Sequence, residues 1–176
     1  MKIRKISTLL AVSLGAIIAF TGCTKDDGAV PERVPITDVP AITTPIDPTG
    51  SPSISMANLA GFSGKFKVDL YFPGATPPTK VDIVVRKTNG TTINNNNVKL
   101  YKASISTFPT SFTVTAAEIA TLFGTAIVLN DNYDFAPDIF LETRKLEAFP
   151  VIGAGTNAGV RAMPLFSEFT RFTAKP

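Results

Sequence analysis

Between residues 53 and 176 the sequence consists of short segments in which polar and apolar residues alternate, and this pattern constrains the fold more than any other feature. In the segment 65–72, for example, polar residues separate the apolar side chains of Phe66, Val68 and Leu70. A period of two residues is typical of a β-strand with one buried face. The other predicted strands are a segment from 81 to the turn dipeptide Asn89-Gly90, and 98–104, 111–115, 125–129, 133–135, 138–142, 146–151 and 165–173.

One short helix is predicted among these strands. Thr115 and Glu118 have the Thr-x-x-Glu spacing of a capping box, in which hydroxyl and carboxylate each accept a hydrogen bond from an otherwise unpaired backbone N–H. Gly124 tolerates the left-handed conformation that commonly ends a helix. We therefore expect an all-β fold in which roughly seven short strands form a two-sheet sandwich with one crossover helix.

A proline-rich segment precedes this domain. Prolines exclude a helix and disfavour a central strand, because each lacks a backbone N–H. The segment is therefore predicted to be a semi-stiff, extended tether over residues 23–52, followed by the folded domain over 53–176. The six prolines of the tether are Pro31, Pro35, Pro40, Pro45, Pro48 and Pro52.

The N-terminus has the pattern of a signal peptide, predicted over residues 1–22. Lys2, Arg4 and Lys5 precede an apolar stretch over 9–20 that is too short to span a bilayer as a helix. The chain has 17 basic and 14 acidic side chains, so its net charge of +3 comes from these three residues. Because the rest is balanced, the charge gives no indication of a nucleic-acid partner.

The signal segment ends in Phe20, Thr21, Gly22 and Cys23, and this sequence resembles the bacterial lipobox. The resemblance implies cleavage before Cys23 and lipidation of its thiol. The alternative is a buried or unpaired free cysteine. Lipid chains on Cys23 would hold the mature protein on a membrane without a spanning segment.

Lys25, Asp26 and Asp27 follow the lipobox directly. A lysine before two acidic residues resembles the export signal of Bacteroidota lipoproteins, which implies an outer-membrane location facing the cell exterior. Two alternatives are the periplasmic leaflet and a merely solvated, charged linker.

The residue inventory excludes most familiar catalysis. The chain has no His, no Trp and one Cys, which excludes His-based acid–base chemistry, Ser-His-Asp and Cys-His machinery and an internal disulfide. We expect a non-catalytic protein with no cofactor and no metal site. A glycosidase pair stays open as an alternative if two of four carboxylates converge in space. These carboxylates are Asp138, Glu142, Glu147 and Glu168.

Several turn and strand segments resemble immunoglobulin-like modules of Bacteroidota surface lipoproteins, often encoded beside SusC/SusD-type glycan-uptake systems. The segments are 113–120, Phe123-Gly124, 129–133 and 166–173. The resemblance implies an immunoglobulin-like sandwich that acts as a binding or accessory module, with glycan capture as the expected role. The alternative is a structural subunit that docks onto an outer-membrane transporter or another lipoprotein without its own small ligand.

Candidate ligand-binding residues lie around the third tyrosine of the chain. Tyr133 offers an aromatic surface, and Asp131, Asn132 and Asp134 offer polar groups beside it, so the four are predicted to form a polar and aromatic rim. Asn130, Asn132 and Asp134 also alternate like Ca²⁺ ligands, but an Asx-rich turn is the preferred interpretation.

Overall fold

β-Strands are the main secondary structure of the computed structural model, which describes residues 41–90, 95–142, 145–150 and 168–176. Within these ranges the strands are β1 (Ile42–Thr43), β2 (Ile54–Ser55), β3 (Ser63–Leu70), β4 (Lys80–Asn89), β5 (Val98–Ile105), β6 (Thr110–Thr115), β7 (Asp131–Phe140), β8 (Lys145–Leu146) and β9 (Thr170–Lys175). A 3-10 helix covers Met56–Gly61, and the α-helix α1 covers Ala116–Phe123.

The strands form two sheets. The smaller sheet has the order β1-β3-β6, and the larger has the order β2-β9-β7-β4-β5, with β8 added beside β7. All pairings are antiparallel except that of β2 with β9. The predicted all-β, two-sheet architecture is therefore confirmed.

The hydrophobic core lies between the two sheets and is rich in aromatic side chains. The Phe135 ring lies 5.2 Å from the Phe66 ring and 5.8 Å from the Phe172 ring, within the range of favourable aromatic pairs. The residues of β3 alternate between buried and half-buried, as the sequence pattern predicts. Fully buried core residues include Phe66, Val68, Ile83, Val85, Val114, Tyr133, Phe135 and Phe172.

Helix α1 forms as predicted. The Thr115 hydroxyl accepts a hydrogen bond from the Glu118 N–H at 3.2 Å, and the Glu118 carboxylate accepts one from the Thr115 N–H at 2.9 Å. Gly124 ends the helix with a positive φ of 65°. Ile119 is buried, so the short helix covers one end of the core.

Strand β7 is longer than predicted, because the sequence indicated two strands, 133–135 and 138–142, divided near Pro137. All ten residues of β7 pair with β4. On its other side, β9 pairs only as far as Phe135, and β8 begins its pairing at Ile139. Pro137 therefore lies where one side of β7 has no described partner strand, a position at which a missing N–H is tolerated.

Three other predicted strands differ from the structure. Residues 125–129 form no strand, because Val128 donates its N–H to the Asp131 side chain instead of to a ladder. The predicted strand 146–151 is replaced by a strand of two residues, Lys145–Leu146, and residue 151 lies outside the described ranges. The last strand runs over Thr170–Lys175, later than the predicted 165–173, of which 165–167 also lie outside.

The predicted tether is wrong for residues 41–52, which belong to the sandwich. Ile42–Thr43 pairs with β3, Lys67 donates its N–H to the Pro45 carbonyl at 3.0 Å, and Asp47 donates to the Lys65 carbonyl at 2.9 Å. Proline is compatible with this position because an edge segment needs only some of its N–H groups. The described domain therefore begins before residue 53.

The predicted signal peptide, Cys23, the export signal and the rest of the tether fall in residues 1–40, outside the described ranges. No helix in the described part of the chain is both long and apolar enough to cross a membrane.

Candidate functional site

The predicted rim of Tyr133, Asp131, Asn132 and Asp134 is buried. Tyr133 and Asp134 are fully buried, and Asp131 and Asn132 expose 1% and 7% of their surface. All four lie on β7, where successive side chains point to opposite faces. They therefore form no common surface, and the prediction of a ligand-binding rim is wrong.

Asp131 instead holds the loop before β7 in place. Its carboxylate accepts hydrogen bonds from the Tyr133 hydroxyl at 2.9 Å, the Val128 N–H at 3.0 Å and the Asn89 amide at 3.0 Å, and it pairs with Lys87 at 3.0 Å. Burial raises the pKa of the Asp131 carboxyl, but these partners outweigh burial and the net pKa lies below its usual value. The arrangement is structural.

Tyr133 is the hydrogen-bond donor in this arrangement. Burial, with the hydrogen bond to Asp131 as a second cause, raises the pKa of the Tyr133 hydroxyl. The hydroxyl therefore stays protonated and keeps its bond to the carboxylate. Asn132, on the opposite face, accepts from the Thr173 hydroxyl at 2.7 Å and donates to the Gly90 carbonyl at 3.0 Å.

Asp134 lies on the outer face of the larger sheet between two arginines. Arg86 donates to its carboxylate at 2.7 and 3.2 Å, and Arg171 donates at 2.6 and 2.9 Å. The Arg86 side chain exposes only 6% of its surface, whereas that of Arg171 exposes 42%. Both arginines thus bind the fully buried Asp134 carboxylate, which is therefore not available as a Ca²⁺ ligand.

The segment 145–150 lies over this outer face. Asp138 accepts a hydrogen bond from the Ala148 N–H at 2.8 Å and pairs with Lys145 at 2.7 Å. The Phe149 ring packs on the Arg86 guanidinium at 4.2 Å. These contacts cover part of the face.

Beside β5, the described residues of the outer face line a groove of about 380 Å³. We call it the β5 groove. Its apolar lining is Val84, Val98, Leu100 and Phe149, and its polar lining is Asn95, Asn96, Lys99, Asp138, Lys145 and Glu147. The Leu100 side chain is half-exposed at 53%, whereas Val84 and Phe149 are buried.

A second cavity of about 390 Å³ lies between β5 and α1, lined by Tyr101, Ala117, Glu118, Thr121 and Leu122. The Tyr101 ring packs edge-on against Phe135 at 5.2 Å, and its hydroxyl donates to the Thr113 carbonyl at 3.2 Å. Burial and the nearby Glu118 raise the pKa of Tyr101 to about 12. Tyr101 is therefore an anchor between the sheet and the β6 backbone.

The carboxylates that the sequence left open for glycosidase chemistry are only partly brought together. Asp138 and Glu147 both line the β5 groove, and both contact the Lys145 ammonium, at 2.7 and 3.4 Å. Glu142 is exposed, and neither it nor Glu168 lines the groove. Among the described residues, no three carboxylate or thiol groups are placed to hold a metal ion.

Sequence reasoning predicted a strand over 98–104 and singled out Asp138 and Glu147 among the carboxylates, but it assigned no site to the β5 residues of the groove, Val98 and Leu100. The strand forms, but it lies at the edge of its sheet. A local pattern shows which side chains share a face and does not show which strand ends the sheet.

The groove combines apolar side chains that a partner can bury with charged and amide groups that can hydrogen-bond. No tyrosine lines it, and the one aromatic ring among its described lining residues, Phe149, packs against Arg86. The chemistry of the lining residues is therefore the guide to the kind of ligand that the groove binds. In comparisons with protein-family models, curated proteins and solved structures, nothing matches this chain.

Proposed function

We propose that this chain is a lipid-anchored outer-membrane lipoprotein whose β-domain is a non-catalytic binding or accessory module. The observation that carries the proposal is the β5 groove, a site with apolar and polar groups on the outer face of the larger sheet. The lipobox at Phe20, Thr21, Gly22 and Cys23 supports the anchor. The adjacent Lys25-Asp26-Asp27 segment supports display on the cell exterior.

We further infer that the sandwich is of the immunoglobulin-like type. The sheet order β1-β3-β6 fits strands A, B and E of that fold, and the order β9-β7-β4-β5 fits G, F, C and C′. Tyr133 near the start of β7 donates its hydroxyl hydrogen upstream to Asp131, as in a tyrosine corner, although to a side chain instead of the backbone. These features support the fold type.

The groove chemistry favours a protein partner over a glycan. Sugar sites commonly use an exposed aromatic ring as a platform, but Tyr133 is buried and the Tyr101 hydroxyl is bonded within the domain. The half-exposed Leu100 and the adjoining Val98 instead offer apolar area that a polypeptide segment can cover. Docking, the alternative role from the sequence, is therefore the better supported form of the proposal.

The experiment compares wild-type protein with Leu100→Arg and with a matched control, Leu129→Arg. Both leucines are about half exposed, at 53% and 46%, but only Leu100 lines the groove. Each protein is used to capture partners from solubilised outer membranes and is screened in parallel against polysaccharides. We expect one membrane protein to be retained by wild type and the control and lost with Leu100→Arg.

Loss of polysaccharide binding with Leu100→Arg, and no change in protein capture, would restore glycan capture as the role of the groove. Equal behaviour of the three proteins in both screens would refute the groove as the functional site. Anchoring is tested separately, by the release of Cys23→Ala from the membrane fraction. Cleavage by protease added to intact cells tests surface display.

A further inference from the structure

Strand β5 is the last strand of the larger sheet, and among the described residues it pairs only with β4. Asn97 accepts the Lys87 N–H at 3.0 Å, which makes these two residues a hydrogen-bonded pair. Such pairs alternate along an antiparallel ladder, so Lys99 and Val85 form the next one. The N–H and C=O groups of Val98 and Leu100 consequently point away from β4, toward the edge at which no described strand pairs.

The two faces of β5 differ in chemistry. Val98 and Leu100 lie opposite Arg86 and Val84, on the outer face and at the β5 groove. Lys99 and Lys102 lie opposite the core residues Val85 and Ile83, with a register shift between the two pairs, and Lys99 also contributes to the groove lining. A strand placed beside β5 would therefore meet apolar side chains toward the groove and lysines along the rest of β5.

The lysines determine which strand fits. Both are exposed, and β5 contains no acidic residue. In the part of the chain that the structure describes, neither ammonium has a carboxylate within ion-pair distance, although Lys102 lies 4.9 Å from the Tyr101 ring. Edge lysines repel strands of like charge, including a second copy of this strand, and attract acidic ones.

We propose that β5 receives an extended segment of a partner protein as an additional strand, with acidic and apolar side chains in alternation. The backbone groups of Val98 and Leu100 bind the segment, the β5 groove takes its apolar side chains, and Lys99 and Lys102 pair with its carboxylates. This inference rests on the proposed docking function and names its partner chemistry.

The test uses the chain from residue 23 onward with Cys23→Ser, so that it carries no lipid. The probe is a short, end-capped peptide in which glutamate alternates with valine and leucine. Two control peptides replace glutamate by lysine or keep the composition and scramble the order. Amide hydrogen exchange is measured by NMR with and without each peptide.

We expect the Val98 and Leu100 amides to exchange freely without peptide. The glutamate peptide should slow both by about tenfold or more, because each amide gains a ladder hydrogen bond. The control peptides should leave both rates unchanged. In the double variant Lys99→Glu with Lys102→Glu, the lysine peptide should protect the two amides in place of the glutamate peptide, whereas Lys175→Glu should not change the preference.

Four results would overturn strand addition. Two of them need no peptide: both amides are already protected, or their protection rises with protein concentration alone. The other two appear with peptide: it contacts the groove and leaves both amides unprotected, or the charge reversal leaves the peptide preference unchanged. None of these four results bears on the proposed docking function, which the capture experiment with Leu100→Arg tests separately. Protection by the glutamate peptide without capture of any membrane protein would contradict the docking function and retain the strand-accepting edge.

Discussion

Asp131 and Asp134 lie three residues apart on the same strand, yet they are held in opposite ways. Asp131 accepts hydrogen bonds from the uncharged donors of Tyr133, Val128 and Asn89 and forms an ion pair with one lysine. Asp134 instead lies between two arginines. The first stabilises a turn at the end of the core, and the second joins strands β4, β7 and β9 across the outer face. Adjacent polar residues on one strand thus serve two separate structural tasks.

The comparison predicts that Asp134 contributes more to stability than Asp131. Asp134→Asn should lower the free energy of unfolding by about 3–5 kcal/mol, because it leaves the buried Arg86 without its counter-charge. Urea unfolding measured by circular dichroism checks this value.

The matched variant for Asp134 is Arg171→Gln, which breaks the more exposed arm of the same arrangement. Since the Arg171 side chain is 42% exposed, its loss should cost about 1 kcal/mol or less. Equal losses in the two variants would show that burial of Arg86 does not determine the stability of the pair.

The Asp131 turn depends in part on the Tyr133 hydroxyl. Tyr133→Phe removes the hydroxyl and keeps the buried ring, so Asp131 loses one of its hydrogen-bond donors. The free energy of unfolding should fall by about 1–2 kcal/mol, as expected for one buried hydrogen bond. The same urea measurement checks it, with Tyr71→Phe as the control at a tyrosine that is only half-buried. A loss with Tyr133→Phe as large as that with Asp134→Asn would refute the ranking of the two aspartates.

The sequence predicted features that depend on neighbours along the chain. Alternation at Phe66, Val68 and Leu70 predicted β3, and the spacing of Thr115 and Glu118 predicted the cap of α1. Both follow from backbone geometry over a few residues, so no knowledge of the tertiary fold is needed.

Features that depend on distant partners were not predicted. The polar residues around Tyr133 suggested an exposed rim, because nothing local indicates that Arg86 and Arg171 approach Asp134 from β4 and β9. Prolines likewise suggested a free tether, although residues 41–52 find partners on β3. The position of Leu100 on the last described strand of its sheet depends on the order of strands, which alternation does not specify.

The smallest predicted effect is a change in the response of the Asp131 turn to acid. The pKa of Asp131 is lowered in the folded protein from an ordinary value of 3.8. Because the pKa is lower in the folded protein, the carboxylate stabilises the fold fully at a pH above the ordinary pKa. This stabilisation is lost as the pH falls through the pKa of the folded protein. Because the Tyr133 hydrogen bond is one cause of the shift, Tyr133→Phe should move the carboxyl pKa upward, so that the stabilisation is smaller and its loss ends at a higher pH. Carbon NMR titration of the Asp131 carboxyl in wild type and Tyr133→Phe measures the shift directly. An unchanged pKa would mean that Lys87, Asn89 and Val128 alone hold the carboxylate, and the tyrosine would then be a core residue whose hydroxyl has no electrostatic role at this turn.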